Sequence, residues 1–111
     1  MSIYRNAIVD FEGRAYEVFW TSQFARHVCQ NLYAGDGLHD LDHEAIVRVL
    51  SRYEYVVELS NGRYVFLGQN QGRVYEIYVH LENGPSERPG RCTIRTCYKS
   101  NKQQYIQLFS H

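Results

Sequence analysis

The chain has 111 residues, 44% of them apolar and 14% aromatic, which suffices for one compact core and is short for two. Its formal net charge is zero, which argues against a protein basic over its whole surface but permits a local positive patch. No run approaches the roughly 18 apolar residues of a membrane span, and the charged N-terminus lacks the apolar stretch of a secretory signal, so a cytoplasmic protein without membrane contact is expected.

Ile3 to Val9 and Ala15 to Trp20 are rich in β-branched and aromatic residues, and Asp10 to Arg14 between them contains glycine, which predicts an N-terminal hairpin. Thr21 or Ser22 then caps a first helix over about 22–34, with Phe24, Val28 and Leu32 on one stripe. After a glycine-containing loop, Asp40 or Asp42 caps a second helix through about Arg52, whose stripe is Ile46, Leu50 and Tyr53. The stretch from Tyr55 to Leu81 reads as a three-stranded meander. Asn61-Gly62 suits a type I′ turn, which needs positive φ at both central residues, and the polar Gln69-Asn70-Gln71-Gly72 supplies the next connection. Glu82 to Gly90 contains both prolines and is a loop, Arg91 to Lys99 is a strand, and Gln103 to Phe109 is either an edge strand or a short helix. The expected architecture is one α+β domain, 1–111, with the N-terminal hairpin and two short helices packed on a twisted antiparallel sheet.

Charge and parity together suggest where chemistry would sit. The first 60 residues carry five basic and nine acidic side chains, the remainder seven basic and three acidic, so the positive end is C-terminal. A strict period of two puts Arg91, Thr93, Arg95, Cys97 and Lys99 on one face of the last strand, with Ile94, Thr96 and Tyr98 on the other. In the strand before it, Glu76, Tyr78 and His80 share a face. If Tyr75, Ile77 and Val79 join Ile94 against the helices, that open face combines a carboxylate, a phenol, an imidazole and guanidiniums. Such a set suits RNA cleavage without a metal: a base for the 2′-hydroxyl, cations for the phosphorane and an acid for the leaving 5′-oxygen. An ordinary solvated sheet face produces the same alternation.

Other groups fit plainer roles. His39-Asp40-x-Asp42-His43-Glu44 has metal-ligand spacing, but its acids fit helix capping, so no metal or other cofactor is expected. The three cysteines form no C-x-x-C, which favours reduced thiols; Cys97 could be activated beside Arg95 and Lys99, but no His–Cys arrangement supports a nucleophile. Most of the ten tyrosines suit a half-wet sheet, while Tyr78, Tyr98 and Tyr105 lie near the basic end where they could stack on bases.

The order of two helices followed by a sheet, with SNGRYVFLGQNQGRVYEIYV at its centre and IRTCYKSNK after it, resembles the small ribonuclease toxins of the BrnT and RelE kind over roughly residues 20–109. The resemblance implies an endoribonuclease that needs no metal, with RNA as substrate and a cognate antitoxin or immunity protein as partner. Family members carry a helix motif of His-Ala-x-x-Arg type. Here Gln23-Phe24-Ala25-Arg26-His27 matches the alanine, phenylalanine replaces the histidine, and His27 is a nearby substitute. The expected catalytic residues are Glu76 or His80 as base, His27 or His80 as acid, and Arg95 at the phosphate. RNA contacts are expected from Arg91, Lys99, Tyr78, Tyr98 and Lys102. The competing expectation is a binding module, an immunity or regulatory protein that docks through the polar sheet face.

Overall fold

The computed structural model describes residues 7–24, 26, 41–84 and 89–110. Strands β1 (Ile8–Phe11), β2 (Arg14–Trp20), β3 (Tyr55–Ser60), β4 (Arg63–Asn70), β5 (Arg73–Glu82) and β6 (Gly90–Lys99) form one sheet in the order β1-β2-β6-β5-β4-β3. Helix α1 (His43–Ser51) precedes β3, and the short α2 (Gln103–Gln107) follows β6.

This corrects the expected fold class. The described residues are 53% strand and 21% helix, and the sheet curls into a six-stranded half-barrel with small helices, in place of two helices on an antiparallel sheet. The sheet is also mixed, because β2 pairs with β6 in parallel while every other neighbour is antiparallel. That pairing joins segments about seventy residues apart and leaves no local trace in the sequence. It brings the N-terminal hairpin into the main sheet. Of the first predicted helix, residues 22–24 and 26 are helical and Thr21 Oγ1 accepts from the Phe24 N–H at 3.2 Å; the remainder, with His27, lies outside the described residues.

Aromatic packing joins edge strand β1 to β4 across the curled sheet. Phe11 on edge strand β1 lies 5.2 Å from the Tyr64 ring and 5.4 Å from Phe66, both on β4, in edge-on geometry. Tyr53 adds a 4.7 Å contact to Phe66, and its hydroxyl donates to the Asp10 carbonyl at 3.0 Å. Each such ring pair adds about 0.5–1.5 kcal/mol beyond its buried area. Helix α1 fills the concavity with Ala45, Ile46, Val49 and Leu50, all buried. Asp42 Oδ1 starts it by accepting from the Ala45 N–H at 2.8 Å. It settles on β4 at Gly68, where a Cβ would stand 2.8 Å from Val49 Cγ1, so only glycine permits this approach.

The meander forms as expected, but its turns differ. Positive φ at both central residues, as type I′ requires, occurs at Glu12-Gly13 (52° and 75°) and Gln71-Gly72 (53° and 78°). At Asn61-Gly62 only the glycine is left-handed, at 72°, and β3 takes up the difference as a register shift between Glu58 and Ser60. The C-terminal segment resolves as helix.

Candidate functional site

A β-bulge in β6 decides which side chains meet. Tyr78 pairs with Thr96 and Val79 with Ile94, so Arg95 has no partner on β5 and the parity of β6 inverts beyond it. Before the bulge Cys92 and Ile94 face the core. After it Cys97, opposite Ile77, takes that place, 3% exposed, while Thr96 and Tyr98 turn to the face of Tyr78 and Glu76. The expected basic stripe Arg91, Arg95, Cys97, Lys99 therefore does not form, and Lys99 stands beside Tyr75 on the core side. An odd spacing of apolar residues from Ile94 to Cys97 is the signal in the sequence that strict alternation passes over.

The second face is also less open than alternation suggests. After Lys99 the chain folds back, with the Ser100 N–H donating to the Val74 carbonyl at 2.8 Å and the Tyr55 hydroxyl to the Leu108 carbonyl at 2.8 Å. Glu76, expected to be an accessible base, is 0% exposed. Its Oε1 accepts from the Tyr78 hydroxyl at 2.6 Å and from Lys102 Nζ at 2.9 Å. Lys102 also donates to the Tyr78 oxygen at 3.0 Å, and Tyr98 donates to it at 2.9 Å from a ring stacked on Tyr78 with centroids 5.6 Å apart. Oε2 is buried with no partner in hydrogen-bonding geometry among the described residues.

The electrostatics follow from this geometry. Burial alone would raise the Glu76 pKa, but hydrogen bonds from Tyr78 and Lys102, with a weaker pull from Ser100, together hold the carboxyl below its ordinary value. Tyr78 is pushed well up, by burial first and by the Glu76 carboxylate it donates to second. Lys102 is raised by its bonds to Tyr78 and Glu76 and stays protonated. The cluster is thus a fixed carboxylate, the neutral phenol of Tyr78 with Tyr98 stacked on it, and a cation whose side chain is 38% exposed.

Beside this cluster the bulged Arg95 is exposed and, with Thr96, Thr21, Gln23 and Phe24, lines a cavity of about 240 Å³. Sequence reasoning missed Thr21, Gln23 and Thr96, which become neighbours only through the parallel β2–β6 pairing and the bulge. Of the expected site residues, Glu76, Tyr78, Tyr98 and Lys102 converge, and Arg95 adjoins them through Thr96. His80 shares their face but lies four residues along β5 from Glu76, about 13 Å away at strand spacing, opposite Arg63 and Thr93. Arg91 lies farther along, its guanidinium 4.4 Å over the Phe19 ring. His27 lies outside the described residues, as do His39 and Asp40 of the metal-like spacing. Among the described residues no cluster of three His, Cys, Asp or Glu could hold a metal ion, and no helix is long and apolar enough to cross a membrane. Comparison with protein-family models, with curated proteins and with solved structures returns no significant match.

Proposed function

We propose that the protein is a small endoribonuclease that cleaves RNA without a metal, with its site where the Glu76–Tyr78–Tyr98–Lys102 cluster adjoins Arg95. The observation that carries this reading is that the bulge exposes Arg95 at a cavity lined also by Thr96, whose cross-strand partner Tyr78 belongs to the carboxylate–phenol–lysine cluster. Bulges re-aim side chains beside active sites. At about 240 Å³ the cavity is smaller than the roughly 300–1,000 Å³ of small-molecule sites, which suits part of a polymer better than a whole ligand.

In this mechanism Arg95 and Lys102 hold the scissile phosphate and stabilise the charge that develops on the phosphorane. The ribose 2′-oxygen loses its proton and attacks phosphorus; the bond to the 5′-oxygen breaks, and that oxygen takes a proton from Tyr98, leaving a 2′,3′-cyclic phosphate and a 5′-hydroxyl. Glu76 acts as a positioning residue through Lys102 and Tyr78, since its burial keeps it from the ribose. His27, expected from the motif region as the acid, is reassigned in this mechanism to the base that takes the 2′-hydroxyl proton, because Tyr98 supplies the acid. Tyr98→Phe should slow cleavage about 100-fold, the lower end of the effect of losing one transition-state hydrogen bond, with RNA binding preserved. Unchanged cleavage by that variant would remove Tyr98 from the mechanism. A cognate antitoxin covering the cluster belongs to the same proposal.

A second reading, a docking module for a partner protein, is favoured by the other end of the same sheet face. There Arg91 lies over Phe19, and Ile8 is 44% exposed, residue types that anchor protein interfaces. Expression in a bacterium separates the two: a ribonuclease arrests growth and a docking module does not.

A further inference from the structure

We propose that Tyr105 is the stacking platform for the base of the leaving nucleotide, the one 3′ of the scissile phosphate. The inference rests on the ribonuclease reading for its reaction and on separate observations for its geometry. Three tyrosine rings border the Lys102 ammonium, with Nζ 5.7 Å from the centroid of Tyr78, 5.9 Å from Tyr98 and 5.4 Å from Tyr105. Two of these rings are already occupied, because Tyr78 and Tyr98 stack on each other and both hydroxyls are bonded within the cluster. Tyr105 differs from them. It is half-buried, and among the described residues no second ring lies against it and its hydroxyl has no hydrogen-bond partner.

Helix α2 buries none of its residues, yet its position is fixed at both ends. At the start the Tyr105 and Ile106 N–H groups both donate to the Lys102 carbonyl at 3.1 Å, and at the end the Tyr55 hydroxyl holds the Leu108 carbonyl at 2.8 Å while its ring lies 5.0 Å from Phe109. A ring held in this way is preorganised, so a base stacking on it orders little else. Lys102 has three N–H donors and uses two, on Glu76 and Tyr78, which leaves one for a phosphate oxygen on a side chain 38% exposed. A phosphate on that donor brings its nucleosides to the rings around it. The polarity follows from the acid: Tyr98 protonates the leaving 5′-oxygen, and Tyr98 and Tyr105 border the same ammonium, so the nucleoside that departs with that oxygen lies on Tyr105. Stacking of this kind accepts any base and favours purines through their larger π-face.

The test uses dinucleotides, whose single phosphate fixes the register. In the first arm the 5′ nucleoside lacks its 2′-hydroxyl, so nothing is cleaved, and 2-aminopurine stands as either the 3′ or the 5′ base. The expected result is saturable quenching of its fluorescence from the 3′ position only, lost in Tyr105→Leu and kept in Tyr105→Phe. No quenching from the 3′ base, or equal quenching by Tyr105→Leu, overturns the assignment. In the second arm, cleavable dinucleotides with adenine or no base at the 3′ position are compared. Tyr105→Leu should lower kcat/KM for the adenine substrate about tenfold and leave the abasic one unchanged. A ring that merely cages Lys102 would slow both alike, which overturns the platform. Wild-type protein that cleaves the abasic dinucleotide as fast as the adenine one also overturns it, with the ribonuclease reading untouched and no variant needed. Saturable 3′ quenching without any cleavage by the wild type upholds Tyr105 as a nucleotide platform and removes the ribonuclease reading.

Discussion

Replacing Glu76 by glutamine keeps the shape of the cluster and removes its buried negative charge. The wild-type carboxylate is 0% exposed and accepts two hydrogen bonds at Oε1, one of them from Lys102. A hydrogen bond to a charged group contributes about 1.5–3 kcal/mol. Glutamine retains a weaker bond from Tyr78, and Lys102, 38% exposed, regains water, which discounts the loss of its ion pair. The expected destabilisation at neutral pH is about 2 kcal/mol, a fall in Tm of about 8 °C at roughly 4 °C per kcal/mol for a domain of this size. The pH dependence gives a sharper check. Folding holds the carboxyl below its ordinary 4.5, so its stabilising effect is complete above that value and is lost as pH falls through the folded-state pKa. The gap in Tm between wild type and Glu76→Gln should therefore be full at neutral pH and close in acid. Scanning calorimetry across pH measures it. Equal Tm values at neutral pH, or a gap that persists undiminished well below pH 4.5, would refute the ion-pair account of this cluster.

Other predictions rest on separate features. Gly68→Ala, which sets a Cβ 2.8 Å from Val49 Cγ1 and 3.1 Å from the Val49 carbonyl oxygen, should cost about 2 kcal/mol by overpacking, read from urea midpoints. Glu12→Asn, at a φ of 52° on an exposed turn, should raise stability by about 0.5 kcal/mol in the same assay, since asparagine adopts the left-handed region more easily. Cys92, whose thiol burial pushes up to about 12, and Cys97, 3% exposed, should resist a thiol reagent in the folded state of a Cys29→Ser variant. Fast native labelling of either would contradict their placement in the core.

The sequence discloses local pairings far better than distant ones. The β3–β4–β5 meander was legible from alternation and two glycine turns, and α1 from Asp42 and its stripe. Turn type at Asn61-Gly62 was not, because the bulge in β3 takes the place of a second left-handed residue. The mixed, curled sheet escaped for a different reason: Phe11 meeting Phe66, and β2 lying parallel to β6, are long-range outcomes of packing. Four of the nine expected site residues, Glu76, Tyr78, Tyr98 and Lys102, do converge, yet alternation placed Tyr98 on the wrong face and Glu76 in solvent. The first error comes from the bulge at Arg95, the second from the return of the chain over β5 after Lys99.

The central claim is metal-independent cleavage at the Arg95 cavity. Its most direct test is incubation of the purified protein and its Arg95→Ala variant with total RNA in excess EDTA, followed by analysis of product ends. The account predicts 2′,3′-cyclic phosphate and 5′-hydroxyl ends from the wild type, and their loss in a variant that still melts as a folded protein. Intact RNA after incubation with the folded wild type, or equal cleavage by Arg95→Ala, would contradict it.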